Sequence, residues 1–313
     1  MLEVLAILAC LSIAFSIGSN DTSNAFGVCI GCRIINFRTA NLLLLLFAFI
    51  GCIAGGEKVM TTVGKDLVEF NLILLVSSLT VAASIIVFSN ARSFPVSSHQ
   101  VIVGSLVGAG FASGAYLELN ILKNIILSWV LSPIVAILVA AGVFFLVKKI
   151  FSGFSILKIN RIFKILLLLN SVLIAYNTGA NELATALGAV VYFGLIDHFT
   201  AAFLGSIFLR LGAKMLSWRV IETVGKGIAP LDPASGFSAQ FGAALTVLIF
   251  TLLGMPVSTT YCIVGGVFGV GIVGKMGTVK REKVRSIVFN WILSPTVAFL
   301  FSSSAIIFLN LVS

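Results

Sequence analysis

Two carboxylates stand where carboxylates are costly. Asp21 and Glu182 each lie inside an apolar stretch, where a charged side chain at the bilayer centre costs about 2.5–3.5 kcal/mol. Their neighbours suggest how that cost is offset. Asp21 follows Asn20 in GSNDTSNAFG (18–27), and Glu182 follows Asn181 in GANELATALG (179–188). Gly18 and the small polar residues Ser19, Asn20, Thr22, Ser23 and Asn24 predict a helix break. Its freed carbonyls and side-chain oxygens, together with the carboxylate, could coordinate a cation. Asp21 and Glu182 are therefore assigned to Na+ or H+, with Asn24 and Thr185 as further coupling residues.

A second pair of segments carries the opposite chemistry. Pro95 and Pro256 each precede Val and then hydroxyls: Ser97 and Ser98 in one case, Ser258, Thr259 and Thr260 in the other. Proline at the first position of a helix leaves the following backbone N–H groups free. Those donors, the positive end of the helix dipole and the hydroxyls make a site suited to an oxyanion. His99 and Gln100 hold the places of Thr260 and Tyr261, and His99 is read as a structural hydrogen-bonder. His198, beside Asp197, is read as solvated, and Lys65 and Lys226 as snorkelling at the two interfaces.

The elements that hold these residues must be membrane helices. Of 313 residues, 59% are apolar and 10% charged, with a mean hydropathy of +1.16. A water-soluble chain carries roughly a quarter of its residues as charges, so soluble enzymes and nucleic-acid binders are excluded. No HExxH, nucleophile elbow or nucleotide fingerprint points to an enzyme, and no cofactor is implied beyond a transported ion. Cys29 and Cys32 form a CxxC without a second pair, which reads as helix packing. Residues 1–17 lack a basic n-region and read as mature protein. Residues 148–164 look like a basic linker lying on anionic lipid.

The chain repeats itself. GSNDTSNAFG returns as GANELATALG, Thr62–Lys65 (TVGK) as Thr223–Lys226, and Pro95–Gly104 as Pro256–Gly265, each 161 residues on; Trp129–Pro133 returns as Trp291–Pro295 at 162. Four ordered matches divide the chain into halves, 1–160 (ending in the basic linker 148–160) and 161–313. Apolar runs predict spans at 4–17 continuing through 24–32, then 39–56, 71–89, 96–112 and 124–147. The second half predicts 165–178 continuing through 183–196, then 199–213, 237–254, 256–274 and 286–312. Five is odd, so the second half enters from the opposite side and the repeats are inverted. Seventeen of 20 Lys and Arg then fall on one side, which the positive-inside rule reads as cytoplasmic, with both termini external. An alternative is equally compatible: 71–112 and 237–274 as re-entrant hairpins turning near the two prolines, which keeps the parity odd.

The paired motifs resemble the duplicated signatures of the inorganic phosphate transporter (PiT) family, over nearly the whole chain. That resemblance implies an all-α polytopic membrane protein of two inverted repeats, with broken helices or re-entrant hairpins at their interface. It implies a plasma-membrane symporter moving phosphate with Na+ or H+, its substrate held by the four segments. The sequence departs from the family pattern at Glu182, at Thr22 and Ser23, and where a T-T-H ending reads Ser98, His99, Gln100 and Thr259, Thr260, Tyr261. Some relatives carry sulfate. Discrimination requires an acceptor for the phosphate proton, and Asp21, Glu182 and the carbonyls of Asn20 and Asn181 are the candidates. A sulfate permease, an uncoupled anion channel or an anion receptor are the competing readings, and a homodimer is compatible with all of them.

Overall fold

The computed structural model describes the backbone of residues 1–92, 96–227, 233–274 and 281–312, and the side chains of all of these except 156–157, 216–227, 233 and 281–288. Pro95, Lys275 and Lys280 lie outside the described residues, as do the side chains of Arg219, Lys226, Arg281, Lys283 and Arg285.

Among the described residues the chain is built of helices, with one isolated antiparallel bridge between Val68 and Leu117. It runs α1 (Leu2–Gly31), α2 (Phe37–Gly55), α3 (Glu57–Thr61) with a π-helical turn at Thr62–Asp66, α4 (Leu72–Ala91), α5 (Ser98–Ser113) and α6 (Leu119–Phe151). The second half runs α7 (Ile156–Asn177), a π turn at Thr178–Leu183, α8 (Ala184–Tyr192), α9 (His198–Gly227), α10 (Pro233–Leu252), α11 (Thr259–Gly274) and α12 (Arg281–Val312). Seven segments among the described residues are long and apolar enough to cross a membrane.

Local chemistry sets the ends. Asn36 starts α2 by accepting from Thr39 N at 2.8 Å, and at the equivalent position Asp197 starts α9 by accepting from Thr200 N at 3.0 Å. Glu118 starts α6 in the same manner. Outside the spans, Asp197 is held below the usual carboxylate range by its hydrogen bonds from Thr200, and Glu118 by the Tyr116 hydroxyl and the Asn120 amide. Gly254, at φ 74°, closes α10 in a left-handed conformation that a residue with a Cβ rarely adopts.

The two halves are related by a twofold. At Gly18 the backbone of α1 presses on the Leu209 carbonyl so closely that no Cβ would fit, and at Gly179 the chain presses in the same way on Ala48. Gly212 against Phe15 is mirrored by Gly51 against Tyr176, and Gly104 against Pro295 by Gly265 against Pro133. Each contact joins one half to the other and recurs with the partners exchanged, as a twofold axis requires. The halves are also interlaced. The last helix of the first half, α6, packs on α10 and α11, while α12 packs on α4 and α5.

Three expectations change. α1 is unbroken through Gly18–Gly27, and the hydroxyls of Ser19, Thr22 and Ser23 are satisfied within it by carbonyls of the preceding turn at 2.6–2.7 Å. Only the second signature is irregular, as a π turn. The span expected at 199–213 extends to Gly227, and an unforeseen short element, 57–66, follows a break at Gly55–Gly56 in the first half. Asn90, at the end of α4, donates to Ser16 O (3.1 Å) and Ser19 Oγ (3.2 Å), halfway along the 30 residues of α1. That is the depth the re-entrant alternative requires, although α4 and α10 are both among the helices long and apolar enough to cross.

Candidate substrate site

The site forms where the two signatures meet the tips of the two hairpins. Asn20 Nδ2 donates to Asn90 Oδ1 at 2.9 Å, and Asn181 Nδ2 donates to Thr251 Oγ1 at 2.8 Å. Asn90 and Thr251 are themselves 161 residues apart, so both signature asparagines tether the end of a hairpin's first helix. Asn181 goes further. It also donates to Met255 O (3.0 Å) and accepts from Val257 N (3.0 Å), fixing the extended chain that leads into α11. Its side-chain amide is thereby committed to positioning. Trp129 Nε1 holds the Pro256 carbonyl at 2.9 Å from the other side.

The hairpin tips converge. Gln100, in the first turn of α5, and Tyr261, in the first turn of α11, meet at 3.4 Å between Tyr261 Oη and Gln100 Oε1. They are symmetry mates, so the pseudo-twofold passes between them. Asp21 and Glu182 are also symmetry mates, and their buried carboxyl groups adjoin each other across the same axis. Two adjoining carboxyl groups in a water-poor site cannot both carry charge unless a cation joins them; otherwise one keeps its proton.

Around that pair the ligands are hard oxygens. Asn24 Nδ2 donates to Asp21 Oδ1 at 2.8 Å and to Thr260 Oγ1 at 2.9 Å, joining α1 to α11. Glu182 lies against Thr259. Thr185 turns inward and donates to Asn181 O at 2.7 Å, so its hydroxyl supports the helix while its lone pairs remain. Among the described residues no group of three His, Cys, Asp or Glu side chains gathers as a transition-metal site. Carboxylates and hydroxyls are hard oxygen donors, which suit a hard cation rather than a metal that seeks thiolate or imidazole.

The N-terminus of α5 is open: Ser97 takes its cap position in extended conformation but makes no capping hydrogen bond, and Ser97 Oγ is buried with no partner among the described residues. At the start of α11 Thr259 faces Glu182. Ser98 and Thr260 are more accessible, and Ser258 sits at the edge of burial. First-turn N–H groups and hydroxyls at two helix starts that meet through Gln100 and Tyr261 are the kind of donors a tetrahedral oxyanion needs. Pro256 is not at the first position of α11 as expected but three residues before it, in the non-helical chain that leads into the helix, and Pro95 lies outside the described residues.

The structure thus brings Asn20, Asp21, Asn24, Asn181, Glu182, Thr185, Ser97, Ser98, Ser258, Thr259 and Thr260 to one place. Asn90, Thr251 and the Gln100–Tyr261 pair were not foreseen as part of it. A polar residue five positions before each proline, in otherwise apolar helices, is the signal that marks Asn90 and Thr251.

A membrane-embedded, twofold-related pair of helical hairpins enclosing carboxylates and helix N-termini defines a secondary transporter rather than an enzyme. The chain belongs to the phosphate transporter family, which it matches over residues 17–159 and 156–302. It is 34% identical to a protein of Methanocaldococcus jannaschii named as a phosphate permease, over 94% of this chain and 93% of that one. It is 31% identical to the sulfate permease CysP of Bacillus subtilis, over 94% of this chain and 84% of that one. Among solved structures it superposes on one described as the sodium-dependent phosphate transporter with a TM-score of 0.89, at 25% identity and full coverage of both chains.

Proposed function

We propose that this protein imports inorganic phosphate by symport with Na+. The anion binds between the N-termini of α5 and α11, on Ser97, Ser98, Ser258, Thr259 and Thr260, with Asn20 at its edge. The cation binds at Asp21 and Glu182, with Asn24 and Thr185 beside them, and Asn181 positions both. The chain reads as two repeats, 1–160 and 161–313, with both termini external.

The observation that carries this reading is the juxtaposition of opposite charges' sites. Two buried carboxylates adjoin each other next to the starts of α5 and α11, where α5 has no side-chain cap and Ser97 Oγ no partner among the described residues. An anion entering alone would meet negative charge in low dielectric, which is strongly unfavourable. A cation bound at the carboxylates removes that repulsion and adds attraction. The two ligands therefore help each other to bind, and that linkage is symport.

The test is uptake of labelled phosphate into proteoliposomes with Na+ and pH gradients imposed separately. Uptake that follows the Na+ gradient supports the proposal; uptake that ignores both gradients overturns coupling. The likeness to a sulfate permease favours a second reading, and sulfate competition separates the two.

A further inference from the structure

The two membrane faces carry the same turn built from different residues. Residues 32–36 join α1 to α2, and residues 193–197 join α8 to α9 at the twofold-related place. Both close alike: Ile34 N donates to Cys29 O and Arg33 N to Ile30 O, as Leu195 N does to Val190 O and Gly194 N to Val191 O. The pivot of each turn is left-handed, at φ 84° for Gly194 and φ 55° for Arg33. Glycine takes that conformation freely, whereas an arginine there is strained. Arg33 is the one described residue other than glycine at positive φ, and strain of this kind points to function.

The charge around the turn differs in one direction. Phe199, in the first turn of α9, packs edge-on against Phe49 of α2, with ring centroids 5.6 Å apart. The twofold mates of that pair are Arg38, in the first turn of α2, and Arg210 of α9. Asn41, one turn further along α2, adjoins the Arg210 carbonyl and the Lys214 amide, so both basic residues stand alongside Arg38. The mate of Lys214 is Ile53, and Asp197 is replaced by Asn36. Four cations thus occupy positions that are Gly194, Phe199, Phe49 and Ile53 at the other face. None of the four has a carboxylate partner among the described residues.

Arg33 and Arg38 also line an open cleft of about 740 Å³ whose other walls are mainly apolar: Ile30, Ile34, Ile35 and Phe37. Leu42 and Leu46 follow Arg38 at helical spacing and are 52% and 51% exposed. An apolar stripe therefore runs from the cleft along the outer side of α2. We propose that this cleft binds an anionic phospholipid, its headgroup phosphate held by Arg33 and Arg38 with Arg210 and Lys214 beside them, its acyl chain laid on Leu42 and Leu46. Guanidinium groups bind phosphate oxygens in pairs, and basic pockets between membrane helices suit acidic headgroups. A soluble anion would leave the stripe unused. The cleft is separate from the site between the hairpins and does not depend on what that site carries.

The experiment is native mass spectrometry of the full-length protein in detergent, titrated with phosphatidylglycerol or with phosphatidylcholine of the same acyl chains. The first phosphatidylglycerol should bind about tenfold or more tighter than the first phosphatidylcholine. Arg33→Gly combined with Arg38→Gln should bring the two lipids within about threefold of each other. Glycine fits the left-handed turn, so this variant keeps its fold. Lys65→Gln with Lys123→Gln removes the same charge from exposed positions elsewhere and should leave the preference intact. Equal binding of both lipids by the unaltered protein overturns the proposal without any variant. A preference that survives Arg33→Gly with Arg38→Gln overturns it too, leaving the arginines only the role of orienting the chain, and a control that loses the preference equally reduces the effect to net charge. Displacement of the bound phosphatidylglycerol by millimolar inorganic phosphate would make the cleft a site for a free oxyanion instead.

Discussion

Replacing Asn181 by Ala should release the tip of the α10–α11 hairpin. Asn181 is fully buried and makes three tertiary hydrogen bonds to that tip, at 2.8 Å to Thr251, 3.0 Å to Met255 O and 3.0 Å from Val257 N. Thr251 also donates to Val247 O, so it stays partly satisfied after the change. The Met255 carbonyl and the Val257 amide have no such reserve. Each buried group left unpaired costs about 1–3 kcal/mol, so the ordered tip should lose at least about 2 kcal/mol, or some thirtyfold in its closed population. Asn20→Ala removes a single bond to Asn90, and Asn90 keeps Ser16 and Ser19, so its hairpin should loosen by only about 1 kcal/mol. Amide hydrogen exchange reads the difference directly. Protection at residues 255–262 should fall far more in Asn181→Ala than protection at 97–101 falls in Asn20→Ala, and anion affinity should fall with it. Unchanged protection at 255–262 in a folded Asn181→Ala protein would refute the assignment of Asn181 to positioning.

Other outcomes follow from the same geometry. Asp21→Asn and Glu182→Gln each remove charge at nearly constant shape, and both should abolish gradient-driven uptake while the protein still purifies as a folded species; retention of normal Na+ dependence in both would make these residues structural. Ser97→Ala and Thr259→Ala should each weaken anion binding by about 1 kcal/mol or somewhat more, read by isothermal titration. Gly179→Val should fail to assemble, because its side chain would enter the Ala48 carbonyl, and Gly18→Val should fail equally at Leu209, as seen by gel filtration in detergent. Asp197 caps α9 as a carboxylate held below its ordinary value of 3.8. Its contribution is complete above that value and is lost as pH falls through the lowered one. Asp197→Asn keeps the cap, as Asn36 does on α2, and should flatten the acid limb of the thermal melting profile below about pH 4. Cysteine labelling from outside should reach positions 118 and 197 and spare 158.

The site was more legible than the shape around it. Repetition marked Asp21 with Glu182 and Ser97 with Ser258, because duplicated polar residues in lipid-soluble helices are expensive unless they meet something. Parity gave inversion, since any odd number of crossings has that effect. What escaped was decided by hydrogen bonds that composition does not express. Whether 71–112 crosses or turns back depends on where Asn90 finds its partner, and that partner is halfway up another helix. Gly18–Gly27 looked like a break because its residues are small and polar, yet the helix runs through them with their hydroxyls satisfied on carbonyls of the preceding turn. Glycine contacts such as Gly104 with Pro295 were invisible for another reason: the sequence contains many glycines, and only the folded chain tells which touch a carbonyl.

The exchange of α6 and α12 between the halves has a consequence for ancestry and for motion alike. A half-length chain ending in α6 would not lay that helix on its own hairpin, α4–α5, in the way seen here, and a second copy inserted upside down would supply the hairpin that α6 covers. The present chain is in this sense a tethered pair, and its halves expressed as separate polypeptides should reassemble, while either alone should not persist. The same weave limits how the transporter can rock. Sliding one sequence half bodily past the other would strip α6 from α10 and α11 and α12 from α4 and α5 together, so any body that moves as a unit must be made of segments drawn from both halves.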